Sequence, residues 1–151
     1  MPQDATVTEL FRLAIDLEKA AAELYRGLEA KFAHRQKVAD FWKEYAMEEV
    51  GHAKWLERLR DGSSPEKLAA PADPIMLKEA RKLLQSHTET NLEAIEDLRD
   101  AYQLANELEN SEVNVIFEFL IGNFAADEKT QNFLRSLLKD HIAKLMLWFP
   151  T

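Results

Sequence analysis

The chain of 151 residues contains no cysteine. Disulfides, thiolate-bound zinc and cysteine-held iron centres are therefore excluded. Glycine and proline are scarce, at four and five residues, so breaks in regular structure should be few and their positions informative. No run of about 18 apolar residues occurs, and no segment is expected to span a membrane. Met1 to Thr8 is polar and lacks the apolar core of a secretory leader, which makes the cytoplasm the expected location. Positive charge is in the minority, with 19 Lys and Arg against 27 Asp and Glu and a net charge of −8. That balance disfavours nucleic acid or an anionic membrane as partner and is compatible with cation binding.

What is present is the composition of a folded helical protein. Hydrophobic residues make up 46% and charged residues 30%, enough to build a core within one domain spanning residues 1–151. Ala, Leu, Glu and Lys dominate, all good helix formers. Thr6-Val7-Thr8-Glu9 has the form of a capping box. Leu10, Phe11, Ala14, Ile15, Glu18, Ala21, Ala22, Tyr25 and Leu28 then recur at helical spacing. After a turn near residues 33–36, a second helix is expected over about 37–60. Asp61-Gly62-Ser63-Ser64-Pro65 ends it, and Pro65, Pro71 and Pro74 mark residues 61–89 as a crossover. Asp73-Pro74 fits an N-cap followed by proline at the first helical position, with a helix over Ile75 to Gln85. Thr90-Asn91-Leu92-Glu93 looks like a second capping box, opening a third helix with Leu92, Ile95, Leu98, Ala101, Tyr102, Ala105 and Leu108 inward. A polar break at Glu109 to Glu112 precedes a fourth helix from Val113 to about Lys139. Residues 140–151 form an apolar tail, expected to be a short helix. Trp148 and Phe149 are expected to dock on the bundle or on a second subunit, so a homodimer is among the expected states.

The chemistry concentrates in Tyr45-Ala46-Met47-Glu48-Glu49-Val50-Gly51-His52. On a helix, Glu49 and His52 project side by side, on nearly the face that carries Phe41, Tyr45, Leu56 and Leu59. A carboxylate and an imidazole pointing into a core need compensation, because an unpaired buried charge is costly. A bound metal is one source of it, and a hydrogen-bonded core cluster or an ion pair is the other. Trp42 and Trp55 flank this face as packing residues. His34, His87 and His141 are isolated in sequence and are expected to be exposed.

The segment has an echo. Phe124-Ala125-Ala126-Asp127-Glu128-Lys129-Thr130-Gln131 matches it at an offset of 79, and Ala14-Ile15 matches Ala94-Ile95 at an offset of 80. Two helical hairpins, about residues 6–60 and 90–139, are thus expected around the crossover. With Glu18 followed seven residues later by Tyr25, Glu48-Glu49-x-x-His52, and the echo at Asp127-Glu128, the chain resembles the ferritin-like superfamily, specifically its rubrerythrin-like bundles. The resemblance covers residues 6 to about 139. It implies an all-α, antiparallel four-helix bundle with one long crossover. In that family each half supplies a terminal glutamate and a Glu-x-x-His, and the two Glu-x-x-His glutamates bridge two irons.

Carried onto this chain, the resemblance makes Glu18 a terminal carboxylate, Glu49 and Glu128 bridging carboxylates and His52 an imidazole ligand. It puts Leu98 and Gln131 where the second half needs a glutamate and a histidine, unless a one-residue slip brings Asp97 or Glu96 into place. The expectation is one divalent ion held by Glu18, Glu49, His52 and Glu128, with the second iron site lost. Iron is implied by the resemblance, and manganese and zinc suit the same donors. Glu48 is placed to substitute as a ligand or to orient His52, and Tyr25 is either a hydrogen-bond donor to the site or a plain core tyrosine. Two rivals remain: an active di-iron oxidase or peroxidase completed by the slip or by a partner chain, and a metal-free structural or interaction module.

Overall fold

A computed structural model describes residues 5–111 and 113–149, the side chain of Trp148 excepted. Among them are seven α-helices: α1 (Val7–Lys31), α2 (Gln36–Asp61), α3 (Pro65–Ala69), α4 (Pro74–Glu89), α5 (Leu98–Glu109), α6 (Val113–Phe124) and α7 (Glu128–Trp148). No strand is present among the described residues, only an isolated antiparallel bridge between Thr6 and Pro71. The architecture is an all-α bundle, helical where the apolar periodicity predicts helix and of the ferritin-like kind that the resemblance implies.

The long hairpin α1–α2 is the frame. Both helices bury a continuous stripe, from Leu10 to Leu28 on α1 and from Val38 to Leu59 on α2. At one end Leu13, Leu17, Leu56, Phe117 and Leu120 share a core cluster; at the other Tyr25, Trp42, Tyr45, Ala101 and Leu145 share a second. Each fully buried large side chain there contributes on the order of 1.5–3 kcal/mol. Trp42, wholly buried, stacks on Tyr25 with ring centroids 5.6 Å apart. Trp55 meets Phe133 edge-on and the Arg58 guanidinium, a packing role as expected.

The remaining two sides are built differently from the sequence expectation. Arg135, near the start of α7, bonds Glu118 of α6. Phe149, just past the end of α7, packs on Tyr102 of α5. The last helix therefore runs back along α6 and then α5, which together form the third side of the bundle, interrupted after Glu109. The fourth side is α7 alone, unbroken to Trp148, so residues 140–148 of the expected separate tail at 140–151 are its last turns, and residues 150–151 lie outside the described residues. Phe149 docks on the chain's own Phe41, Trp42 and Tyr102; Trp148, also expected to dock, has a side chain outside the described residues.

Capping explains these boundaries. Asp127 caps α7, its side chain accepting from the Thr130 N–H at 2.7 Å, so the helix expected over 113–139 stops at Phe124 and restarts at Glu128. Asp97 caps α5 in the same way through the Asp100 N–H. The capping box expected at Thr90 does not open a long helix: Thr90 closes α4, and Asn91 caps only a 3₁₀ turn over Leu92–Ala94. Asp73 and Pro74 open α4 as expected. Thr6 makes no side-chain capping bond to α1. Glu9 pairs with Arg12 instead, and the Val7 N–H is satisfied by the Ala70 carbonyl of the crossover. The crossover is thereby tied to the start of α1, and α4 lies along that helix.

Candidate metal centre

Glu18 lies on the buried stripe of α1, and Glu49 and His52 lie one turn apart on that of α2. All three are 5% exposed or less. His52 Nδ1 is 3.4 Å from Glu18 Oε2 and 3.8 Å from Glu49 Oε1. The structure thus brings together three of the four side chains expected as ligands.

Glu128 is not with them. It is exposed in the first turn of α7, and Gln131 reaches only toward the Gly122 carbonyl at 3.5 Å. The acid pair Asp127-Glu128 opens a helix, where a cap and a negative charge near the N-terminus are both favourable. The slip to Asp97 or Glu96 is also absent, since Asp97 is a cap and Glu96 is exposed. Leu98 packs at the margin of the second core cluster.

The place expected for Glu128 is taken by two residues not singled out in the sequence as ligands. Glu109, the last residue of α5, is 7% exposed, and His141, on α7, is 1% exposed. The expectation of an exposed His141 is corrected, as is that for His87, which is 4% exposed; His34 is exposed. His141 Nε2 abuts Glu49 and lies 3.2 Å from Glu109 Oε2, in neither case with hydrogen-bond geometry. Donor atoms of Glu18, Glu49 and His52 lie within 4.8 Å of one another, and so do those of Glu49, Glu109 and His141. Glu49 belongs to both groups.

A signal for the missed pair exists. Ala14-Ile15-Asp16-Leu17-Glu18 is echoed by Ala105-Asn106-Glu107-Leu108-Glu109 at an offset of 91, and His52 and Leu56 by His141 and Leu145 at 89. In this register the position three residues before His141, occupied on α2 by Glu49, is Leu138.

Around the donors lies a second set of polar contacts. Glu48 Oε1 is 2.9 Å from His141 Nδ1, so Glu48 orients His141 rather than its own helix's His52. Lys144 pairs with Glu48 and, at 3.3 Å, with Glu44. Tyr25 donates to Glu109. Tyr45 donates to the His141 carbonyl at 2.9 Å, and its ring stacks on the imidazole with centroids 3.8 Å apart. Phe117 meets His52 edge-on.

The electrostatics follow from three carboxyl groups in one buried space. Burial, then the charges of Glu18 and Glu109, hold Glu49 well above the usual carboxylate range. Burial would raise Glu18 too, but its close contacts with Glu49 and His52 and the nearby His141 bring it below its ordinary value. Burial would lower His141, yet the charge of Glu49 and its contacts with Glu109, Glu48 and Glu49 push it well up. Tyr25 is pushed far up by burial and then by Glu109 and Glu49, which keeps its hydroxyl a donor. Protons on Glu49 and His141 thus compensate the buried negative charge, and a divalent cation would compensate it through the same atoms. Carboxylate oxygens with imidazole nitrogens are donors that suit iron(II), manganese(II) or zinc(II). The residues fit a metal.

Helical hairpins that turn Glu and Glu-x-x-His carboxylates and imidazoles into the bundle core define a ferritin-like carboxylate–histidine protein. A family model for rubrerythrin matches residues 9–138, and the chain belongs to the rubrerythrin family. No curated protein and no solved structure matches it significantly. Among the described residues no helix is long and apolar enough to cross a membrane.

Proposed function

We propose that the protein binds divalent metal ions in its bundle core at two adjoining positions, one formed by Glu18, Glu49 and His52 and the other by Glu49, Glu109 and His141. The observation that carries this is the membership of Glu49 in both groups, the arrangement a shared carboxylate needs. It replaces the single-ion set that included Glu128, because the second position has its own carboxylate and imidazole. Iron is the metal that the family favours, and bound iron would supply redox chemistry there. The surrounding residues have definite tasks. Glu48 holds the Nδ1–H of His141 and so presents Nε2 to the core. Tyr25 fixes the Glu109 carboxylate by donating to it. Tyr45 and Phe117 wall the imidazoles with aromatic rings.

The test is metal content per chain after anaerobic reconstitution with iron(II), and separately with manganese(II) and zinc(II). Two ions are expected, falling to one in Glu109→Ala or His141→Ala. One ion, indifferent to both variants, would restore the single-site reading around Glu18, Glu49 and His52. No ion would leave the cluster as a buried hydrogen-bonded module.

A further inference from the structure

One polar group beside the core belongs to neither position. A small cavity adjoins the candidate centre, and His87 and Asn114 line it together with Glu18, Glu49, His52 and Glu109. His87 comes from the crossover helix α4, which lies along α1 and is no part of the four-sided bundle. It is buried, and its Nδ1 has no hydrogen-bond partner. Leaving such an atom unpaired costs about 1–3 kcal/mol, so a buried imidazole at a cavity wall calls for something in the cavity to bond. The same cavity is lined by three carboxyl groups, those of Glu18, Glu49 and Glu109, which favour a cation over an anion or a neutral molecule.

Resting on the metal-centre reading above, we infer that the crossover supplies a third imidazole to the centre, His87 binding a divalent ion held in the cavity against the carboxylates of Glu18 and Glu109. Burial lowers the pKa of His87, opposed in part by the Leu83 carbonyl and by the charges of Glu18 and Glu109. Its lone pair is then available near neutral pH without first expelling a proton. The cavity is also lined by Leu108, Val113 and Asn114, which flank the interruption between α5 and α6. An ion at His87 would sit on the side where the third side of the bundle is broken.

The experiment is the count of paramagnetically shifted imidazoles in the cobalt(II)-loaded protein. The chain has four histidines, of which His34 is exposed and His52 and His141 belong to the two core positions. Three shifted buried imidazoles are expected in the unmodified protein, and two in His87→Gln, with cobalt(II) bound about tenfold more weakly by that variant. Two shifted imidazoles in the unmodified protein would overturn the inference, and this result needs no variant to fold. So would three that persist in His87→Gln. Failure of the metal-centre reading has a different signature: cobalt(II) loading indifferent to Glu49→Ala and His52→Ala.

Discussion

The two halves of the bundle face the same core with different equipment. The α1–α2 hairpin supplies Glu18, Glu49 and His52 to the centre. It also supplies the groups that serve the other half: Tyr25 for Glu109, Glu48 for His141 and the Tyr45 ring against the same imidazole. The second half keeps one carboxylate and one histidine. Leu138 stands where α2 has Glu49, Ile116 where α1 has Tyr25, and its third side is interrupted just past Glu109. One half of a duplicated design can lose its supporting groups when the other half reaches across the core to provide them. Glu49 belongs to both donor groups of the candidate centre, and the contacts that hold Glu109 and His141 come from the first hairpin.

That asymmetry can be broken most severely at Glu49. Glu49→Ala removes the residue common to both groups, and metal affinity should fall at least about 100-fold at both positions, measured by calorimetric titration. Loss at only one position would show that the halves are independent. The symmetric design can instead be restored with Leu138→Glu. Leu138 is half-buried, and without metal the added carboxylate should destabilise the fold by roughly 1–2 kcal/mol. With saturating manganese(II) most of that loss should be recovered, and denaturant unfolding with and without the ion reads the difference. Equal destabilisation in both conditions would mean Leu138 does not face the centre.

A finer test separates the halves through their support. Glu48→Gln should weaken the Glu109–His141 position about tenfold and leave the Glu18–His52 position within about twofold, resolved by stepwise metal titration. Equal weakening of both would deny the cross-core role of Glu48.

The smallest expected effect is a pH slope in the metal-free protein. Glu49 and His141 both have folded-state pKa values above their unfolded ones. Each therefore contributes stability that is present below its unfolded pKa and is lost as pH rises through the folded value. Glu18 and Glu48 are depressed and act oppositely, losing their contribution as pH falls through their folded values. Metal-free stability should thus decline as pH rises from mildly acid through neutral, with a shallower decline in Glu49→Gln. Metal affinity should rise over the same window, because the ion displaces those protons. Chemical denaturation at several pH values gives the slope, and identical slopes in the two proteins would remove Glu49 as its source.

The first hairpin was legible from the sequence because its information is local. Apolar spacing defines α1 and α2, and two positions one turn apart on an inward face place Glu49 and His52 side by side whatever the rest of the chain does. Glu18 follows from the same stripe. Proline and glycine located the crossover, and Asp73-Pro74 marked the start of α4. In the second half the local pattern pointed elsewhere. Phe124 to Gln131 reproduces the aromatic, alanine and acid pattern of the motif, but Asp127 and Glu128 are there to begin a helix.

The sequence by itself determined an all-α bundle of rubrerythrin type and half of its candidate metal centre. Only the tertiary structure decided which residues face that half. Glu109 ends one helix and His141 lies far along another, and their echoes of Glu18 and His52 fall at two different offsets, 91 and 89, set by where those helices begin. They meet Glu49 because α7 runs back past α6 to α5, and that path depends on where α6 stops and α7 restarts. His87 lines the adjoining cavity because α4 lies along α1. Helical periodicity says which face of a helix is buried, and the packing of distant helices decides what that face meets.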